Sequence, residues 1–258
     1  MTALISTWGR RLIPCCLPLL LLTCSEAPET PLIPTNRVVL AELFTWQRCV
    51  YCPYAAHTLD SLVREFNDSV AVIAWHRRVA GDTLSPDYTE LRRALYYESG
   101  GEPAVVFDGG EVVRTPGPEY NYETYKNYIL AARSRLPQAQ LEIDAFSRGD
   151  TGRVTIYTWG VDSTPAETLR LFVAVTEDSV RPTLSGATDS LFHDVLRLLL
   201  PGVEGEPLRL FRAETVRLDF SFTLPGHINP DRLKTVVFIH QPATRKVLQT
   251  AKCKVIRR

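Results

Sequence analysis

Residues 37–53 read Arg37-Val38-Val39-Leu40-Ala41-Glu42-Leu43-Phe44-Thr45-Trp46-Gln47-Arg48-Cys49-Val50-Tyr51-Cys52-Pro53. The first eight form a nearly continuous apolar run, as in a strand buried on both faces. A C-x-x-C pair follows. From Pro53, the residues Ala55, Ala56, Leu59, Leu62, Val63 and Phe66 recur at helical spacing. Pro53 suits a first helical turn, where its missing N–H costs nothing. Ser69 to Trp75 is a second apolar run, and His76 ends it. Strand, helix and strand in this order make a βαβ unit, whose strands run parallel through a right-handed crossover.

Beyond this unit, Asp87 to Tyr97 reads as a helix. Glu102 to Gly110 reads as a short strand that opens with Pro103 and closes in a turn. Asn121 to Leu136 reads as a helix, with Tyr122, Tyr125, Ile129 and Ala132 on one packing stripe. From Gln138 the pattern changes to alternating β-rich runs: Leu141–Ala145, Val154–Tyr157, Leu169–Val175, Val216–Phe222, Leu233–Ile239 and Val247–Ile256. Short strands separated by turn residues suggest a β-sandwich. The expected division is an α/β domain over 37–136 and an all-β sandwich over 137–258.

The N-terminus belongs to targeting. Arg10 and Arg11 precede an apolar stretch from Leu12 to Leu22 that contains Pro14 and Pro18. It falls short of the ~20 residues a spanning helix needs, so it reads as a secretory signal peptide over 1–23. Cys24 directly after Leu21-Leu22-Thr23 resembles a bacterial lipobox, in which that cysteine is acylated. Residues 24–36 then form an acylated N-terminus and proline-containing tether. The expected location is the bacterial cell envelope, with the protein held at a membrane through its acyl chains.

Composition is that of a globular protein: 45% hydrophobic and 22% charged, with 29 basic and 29 acidic residues. No basic field marks a nucleic-acid partner. Of six cysteines, Cys15 and Cys16 leave with the signal and Cys24 carries lipid, which leaves Cys49, Cys52 and Cys253. The compartment is oxidising, so a disulfide can persist.

C-x-x-C supports a redox dithiol, half a zinc site or an inert staple. Zinc needs about four ligands, and no second cysteine pair or His pair accompanies this one; neither metal nor cofactor is expected. At a helix start, free N–H groups and the helix dipole stabilise a thiolate. Cys49 is then the nucleophile and Cys52 the resolving thiol, working through mixed disulfides with envelope proteins that carry thiols or disulfides. Arg48 adds positive potential. His76, at the sheet edge that carries the dithiol, is a candidate modulator. His57, five residues beyond Cys52, is expected to point away. Alternation places Cys253 inward between Lys252 and Lys254, as an inert thiol.

The strand followed by C-x-x-C, the βαβ order and the Glu102-Pro103 strand together resemble the thioredoxin fold. That resemblance implies a cis Pro103 against the dithiol, with Glu102 and Pro103 bordering a groove for substrate backbone. The chain as a whole, on Glu42 through Ala56, Val72-Ile73-Ala74-Trp75-His76 and His193 to Gly202, resembles the Omp28-like outer-membrane lipoproteins. The likeness implies a thioredoxin-like domain followed by an immunoglobulin-like β-sandwich, anchored at the outer membrane. Thioredoxins carry a buried carboxylate six residues before the first cysteine, and here that position is Leu43. Glu42, a further candidate modulator beside Arg48 and His76, lies on the opposite strand face. The alternative is a non-enzymatic lipoprotein with a stapled first domain and a sandwich that binds a protein or glycan.

Overall fold

In the computed structural model, which describes residues 37–161, 167–212 and 214–258, the opening run becomes β1 (Val39–Thr45), buried along its whole length. The signal, Cys24 and the tether lie outside the described residues. After β1 the chain forms α1 (Cys52–Phe66), β2 (Val70–His76), α2 (Thr89–Ala94), β3 (Ala104–Phe107), β4 (Val112–Val113) and α3 (Asn121–Arg133). The remainder is strands: β5 (Ala139–Arg148), β6 (Thr151–Gly160), β7 (Leu169–Glu177), β8 (Val195–Leu200), β9 (Glu206–Leu208), β10 (Val216–Thr223), β11 (Leu233–His240), β12 (Val247–Lys254) and β13 (Ile256–Arg257). No helix among the described residues is long and apolar enough to cross a membrane.

β1 and β2 pair in parallel, from Val39 opposite Val70 to Thr45 opposite His76. β3 runs antiparallel to β1. Alternation along β1 then divides two cores. Val39, Ala41 and Leu43 face α1 and α3, meeting Ala55, Leu59, Leu62, Tyr125 and Ile129. Leu40 and Phe44 face the other way, toward Trp75, Phe172, Leu196 and Phe238. Burial of each such side chain contributes roughly 1.5–3 kcal/mol.

Those second-face partners include residues from beyond Pro137. Among the described residues the strands form a nine-stranded sheet in the order β12-β11-β7-β8-β2-β1-β3-β4, with β9 beside β7, and a four-stranded sheet in the order β10-β6-β5-β13. A third core of Val154, Ile156, Leu171, Val173, Val237 and Ile239 lies between the two sheets, as in a sandwich. One of these sheets, however, continues into the N-terminal strands: Ala74 pairs with Val195, and Ala74 N–H donates to Asp194 O at 2.8 Å. The stretch His193 to Gly202 thus joins the two parts of the chain through β8, and both parts belong to one compact unit.

The β3 turn strengthens the joint. Asp108 is buried, receives Leu40 N–H at 2.8 Å and pairs with Arg37 at 2.6 Å. Arg37 also donates to Val247 O at 2.9 Å. Gly109 follows at φ +70, and a Cβ there would stand 1.7 Å from Arg245 O, so only glycine fits. Element ends differ from the sequence reading mainly in α2, which spans Thr89–Ala94 rather than Asp87–Tyr97. Tyr96 and Tyr97 instead turn inward against Phe44.

Candidate functional site

Cys49 and Cys52 form a disulfide, with Cα atoms 5.3 Å apart. The pair sits at the start of α1. Tyr51, the helix cap, makes no side-chain capping bond, and the first turn contains no acidic residue. The Cys52 N–H points at Cys49 Sγ, at 3.1 Å, and is shared with Cys49 O at 3.3 Å. A thiolate at Cys49 would therefore gain a hydrogen bond at the positive end of a helix dipole. Glu102 O lies 3.5 Å from the same sulfur, and the Glu102–Pro103 peptide bond is cis.

The Glu102 carboxylate does not face the dithiol. It accepts from Arg77 at 2.8 Å and from the Tyr97 hydroxyl at 3.2 Å, and its side chain is nearly fully buried. Tyr51, next to Cys52 in the chain, lines a groove of about 560 Å³ with Glu102, Pro103, Arg114 and Glu119. Val50, Tyr51 and Tyr54 present exposed apolar surface around it.

Arg48 is exposed and donates to Ser185 O at 2.8 Å, so its charge is held by the β7–β8 connection rather than by Cys49. Glu42 lies on the face opposite Leu43. It accepts from Arg92 at 2.7 and 2.8 Å and from the Tyr96 hydroxyl at 2.5 Å, and it has no path to the dithiol. His76 ends β2 on the same face as Leu43 and is 1% exposed.

His57 is largely exposed. It lines a small cavity with Cys52, Leu43 and His76, and its Nε2 pairs with Asp189 at 2.8 Å. The helical stripe that matters starts at Pro53, from which His57 is four residues on. The β7–β8 connection folds over that stripe and closes the cavity.

Gln47 has no role in the sequence reading, yet it organises the site. Its side chain donates to Asp82 Oδ1 at 2.6 Å and Thr183 Oγ1 at 2.9 Å, and accepts from Thr183 N–H at 2.7 Å and Leu184 N–H at 3.1 Å. Thr188 donates to Cys49 O at 2.9 Å. A segment more than a hundred residues downstream therefore clamps the dithiol loop. Cys49 is left only 4% exposed and Cys52 3%. No local pattern in the sequence announces contacts at such separations. Asp82 likewise sits in a loop with no signal of its own. Burial raises its carboxyl, but hydrogen bonds from His76, Gln47 and Leu84 outweigh that and hold it below the usual range.

Among the described residues no group of three or more His, Cys, Asp or Glu is placed to hold a metal ion. Cys253 is free and half-buried; burial, with a smaller effect of Asp144, pushes its thiol up to about 11.

No family model matches the sequence, and no curated protein is significantly similar to it. Solved structures share the fold. The chain is similar to HBP35 of Porphyromonas gingivalis at 18% identity and a TM-score of 0.71, over 85% of this chain and 75% of that one. A structural-genomics protein from Agrobacterium tumefaciens matches at 14% identity and a TM-score of 0.54, over 85% of this chain and 95% of that one. A domain of the outer membrane lipoprotein Omp28 from Porphyromonas gingivalis aligns over 48% of this chain and 93% of its own, at 13% identity and a TM-score of 0.36.

Proposed function

We propose that the chain is a thioredoxin-like, Omp28-related protein of the bacterial cell envelope that exchanges disulfides with other envelope proteins through Cys49 and Cys52. The observation that carries this reading is the Cys52 N–H aimed at Cys49 Sγ at the uncapped start of α1. Such an N–H lowers the free energy of the thiolate relative to the thiol, and the thiolate is the attacking species. The groove lined by Tyr51 and Pro103 supports it by offering room for extended backbone. The envelope location and an acyl anchor at Cys24 rest on the N-terminal signal pattern. A Cys24→Ala protein that remained in the membrane fraction would rule out the anchor.

Exchange itself is tested with the reduced protein and oxidised glutathione. Cys49→Ser should abolish reaction, and Cys52→Ser should stall at a mixed disulfide visible by mass. A Cys49→Ser protein as reactive as the parent would refute the assignment of roles.

The burial of both cysteines favours a second reading, a structural disulfide in a non-enzymatic lipoprotein whose sandwich binds a protein or glycan. Exchange on this reading would be absent from the parent as well.

A further inference from the structure

The wall behind Cys52 holds a buried histidine with one ring nitrogen unengaged. His76 Nδ1 lies 3.0 Å from Asp82 Oδ2, with both side chains fully buried. Its Nε2 has no hydrogen-bond partner. Phe192 packs edge-on against the ring at 5.1 Å. An unsatisfied buried nitrogen is costly, so it asks for an explanation.

Its surroundings supply one. His76 and Cys52 line the same cavity, whose volume of about 20 Å³ suits a single water molecule. Leu43 also lines it, so β1 contributes no titratable group. β2 does, because Thr45 pairs with His76 across the parallel ladder and places the imidazole on the α1 side of the sheet. Three other titratable side chains reach this cavity. From α1, His57 is largely exposed and engaged by Asp189 of the β7–β8 connection. From that same connection, His193 is about a third exposed and stands 3.8 Å from Asp178. His76 alone among them is fully buried with a nitrogen to spare.

The chemistry needs such a group. Cys52 is 3% exposed, and it must lose its proton before it can attack. With Asp82 accepting Nδ1–H, a neutral imidazole would carry its lone pair on Nε2. We propose that His76, oriented by Asp82, accepts the Cys52 proton when the mixed disulfide closes, directly or through one water.

This deepens the exchange reading and rests on it. Cys49 thiolate attacks a substrate disulfide, forming a Cys49–substrate S–S bond and releasing one substrate thiolate. The Cys52 proton passes to His76 Nε2. Cys52 thiolate then attacks Cys49 Sγ, the Cys49–Cys52 bond forms, and the second substrate sulfur leaves with the electron pair and is protonated. Two electrons pass from the dithiol to the substrate disulfide, and the imidazolium returns its proton to solvent or to the leaving thiolate. Asp82 is a positioning residue, because it acts only through the imidazole.

Quench-flow with oxidised glutathione separates the two steps by mass, since the glutathionylated protein is the intermediate. In His76→Ala, glutathionylation should stay within about threefold of the parent. Closure should slow by about 10²-fold near pH 7. The pH profile of closure should also differ from the parent's. Asp82→Asn should change that profile too, an effect that loosened packing alone would not produce. Closure in His76→Ala with the parent's rate and pH profile would overturn the assignment. Failure of the parent to become glutathionylated at all would instead overturn the exchange reading beneath it.

Should His76→Ala not fold, nitrogen NMR of reduced protein tests the same proton transfer without altering His76. Cys52→Ser should shift the titration of His76 Nε2, and an unmoved titration would contradict the proposal.

Discussion

The two faces of β1 bury charge in two different ways. On one, Glu42 and Arg92 form a bidentate pair, with Arg92 between 5.2 and 5.9 Å from the rings of Trp75, Tyr96, Phe172 and Phe238. On the other, His76 and Asp82 form a pair with one nitrogen left over, beside a cavity shared with Cys52. The first pair satisfies itself and locks α2 to the sheet. The second has capacity for one more proton, next to a sulfur that must give one up. Charge burial thus separates a strut from a working group only when the remaining valence and its neighbour are taken together. His240 makes the same point: its Nε2 is also unpartnered, but its ring packs edge-on against Phe172 at 6.1 Å.

The strut should show the largest effect. Arg92→Met leaves the buried Glu42 charge with only the neutral Tyr96 hydroxyl as a partner and should cost about 3–5 kcal/mol. A denaturant midpoint close to the parent's would show that the pair holds little of the structure. The double change Glu42→Leu with Arg92→Met should recover part of the loss.

His240 comes next. Burial, reinforced by the Arg92 charge, pushes its imidazole down to about 4, while Glu42 acts weakly the other way. The unfolded chain therefore binds a proton near pH 6.5 that the folded chain refuses until about pH 4. Its contribution to stability is fully present above pH 6.5 and falls by about 3 kcal/mol as the pH drops to 4. His240→Asn should flatten that limb of a stability–pH curve. An unchanged slope would assign the acid sensitivity elsewhere.

Gln47→Ala acts on the dithiol face alone. Removing a side chain that bonds Asp82, Thr183 and Leu184 should cost about 1–3 kcal/mol and speed alkylation of reduced Cys49, because the clamp loosens. Unaltered alkylation would mean that the β7–β8 connection does not guard the sulfur. The smallest effect concerns Cys253. With its thiol near 11, it should alkylate roughly 10²-fold more slowly at pH 8 than an ordinary cysteine, measured peptide by peptide.

Much of the dithiol's setting is legible in the sequence because it is local. A continuous apolar run, Pro53 after C-x-x-C, and apolar spacing along Ala55, Leu59 and Leu62 are short-range signals with direct structural consequences. Alternation alone puts Glu42 behind the sheet. The Glu102 carboxylate's turn toward Arg77 is not legible, because a proline motif fixes backbone and not the side chain before it. Least legible are Gln47 and Asp82, whose partners lie across the β7–β8 connection or in a loop without periodicity. The same is true of the shared sheet: β8 is visible only as an apolar run after His193-Asp194, and nothing local says that it lies beside β2.

The exchange reading stands or falls with the equilibrium between the dithiol and the disulfide. Titrating the purified protein against glutathione or dithiothreitol buffers, with free thiols trapped by an alkylating mass tag, measures it directly. The expected potential is about −120 to −270 mV, in the range of exchanging pairs. A value below about −300 mV would contradict disulfide exchange and make Cys49–Cys52 a structural bond.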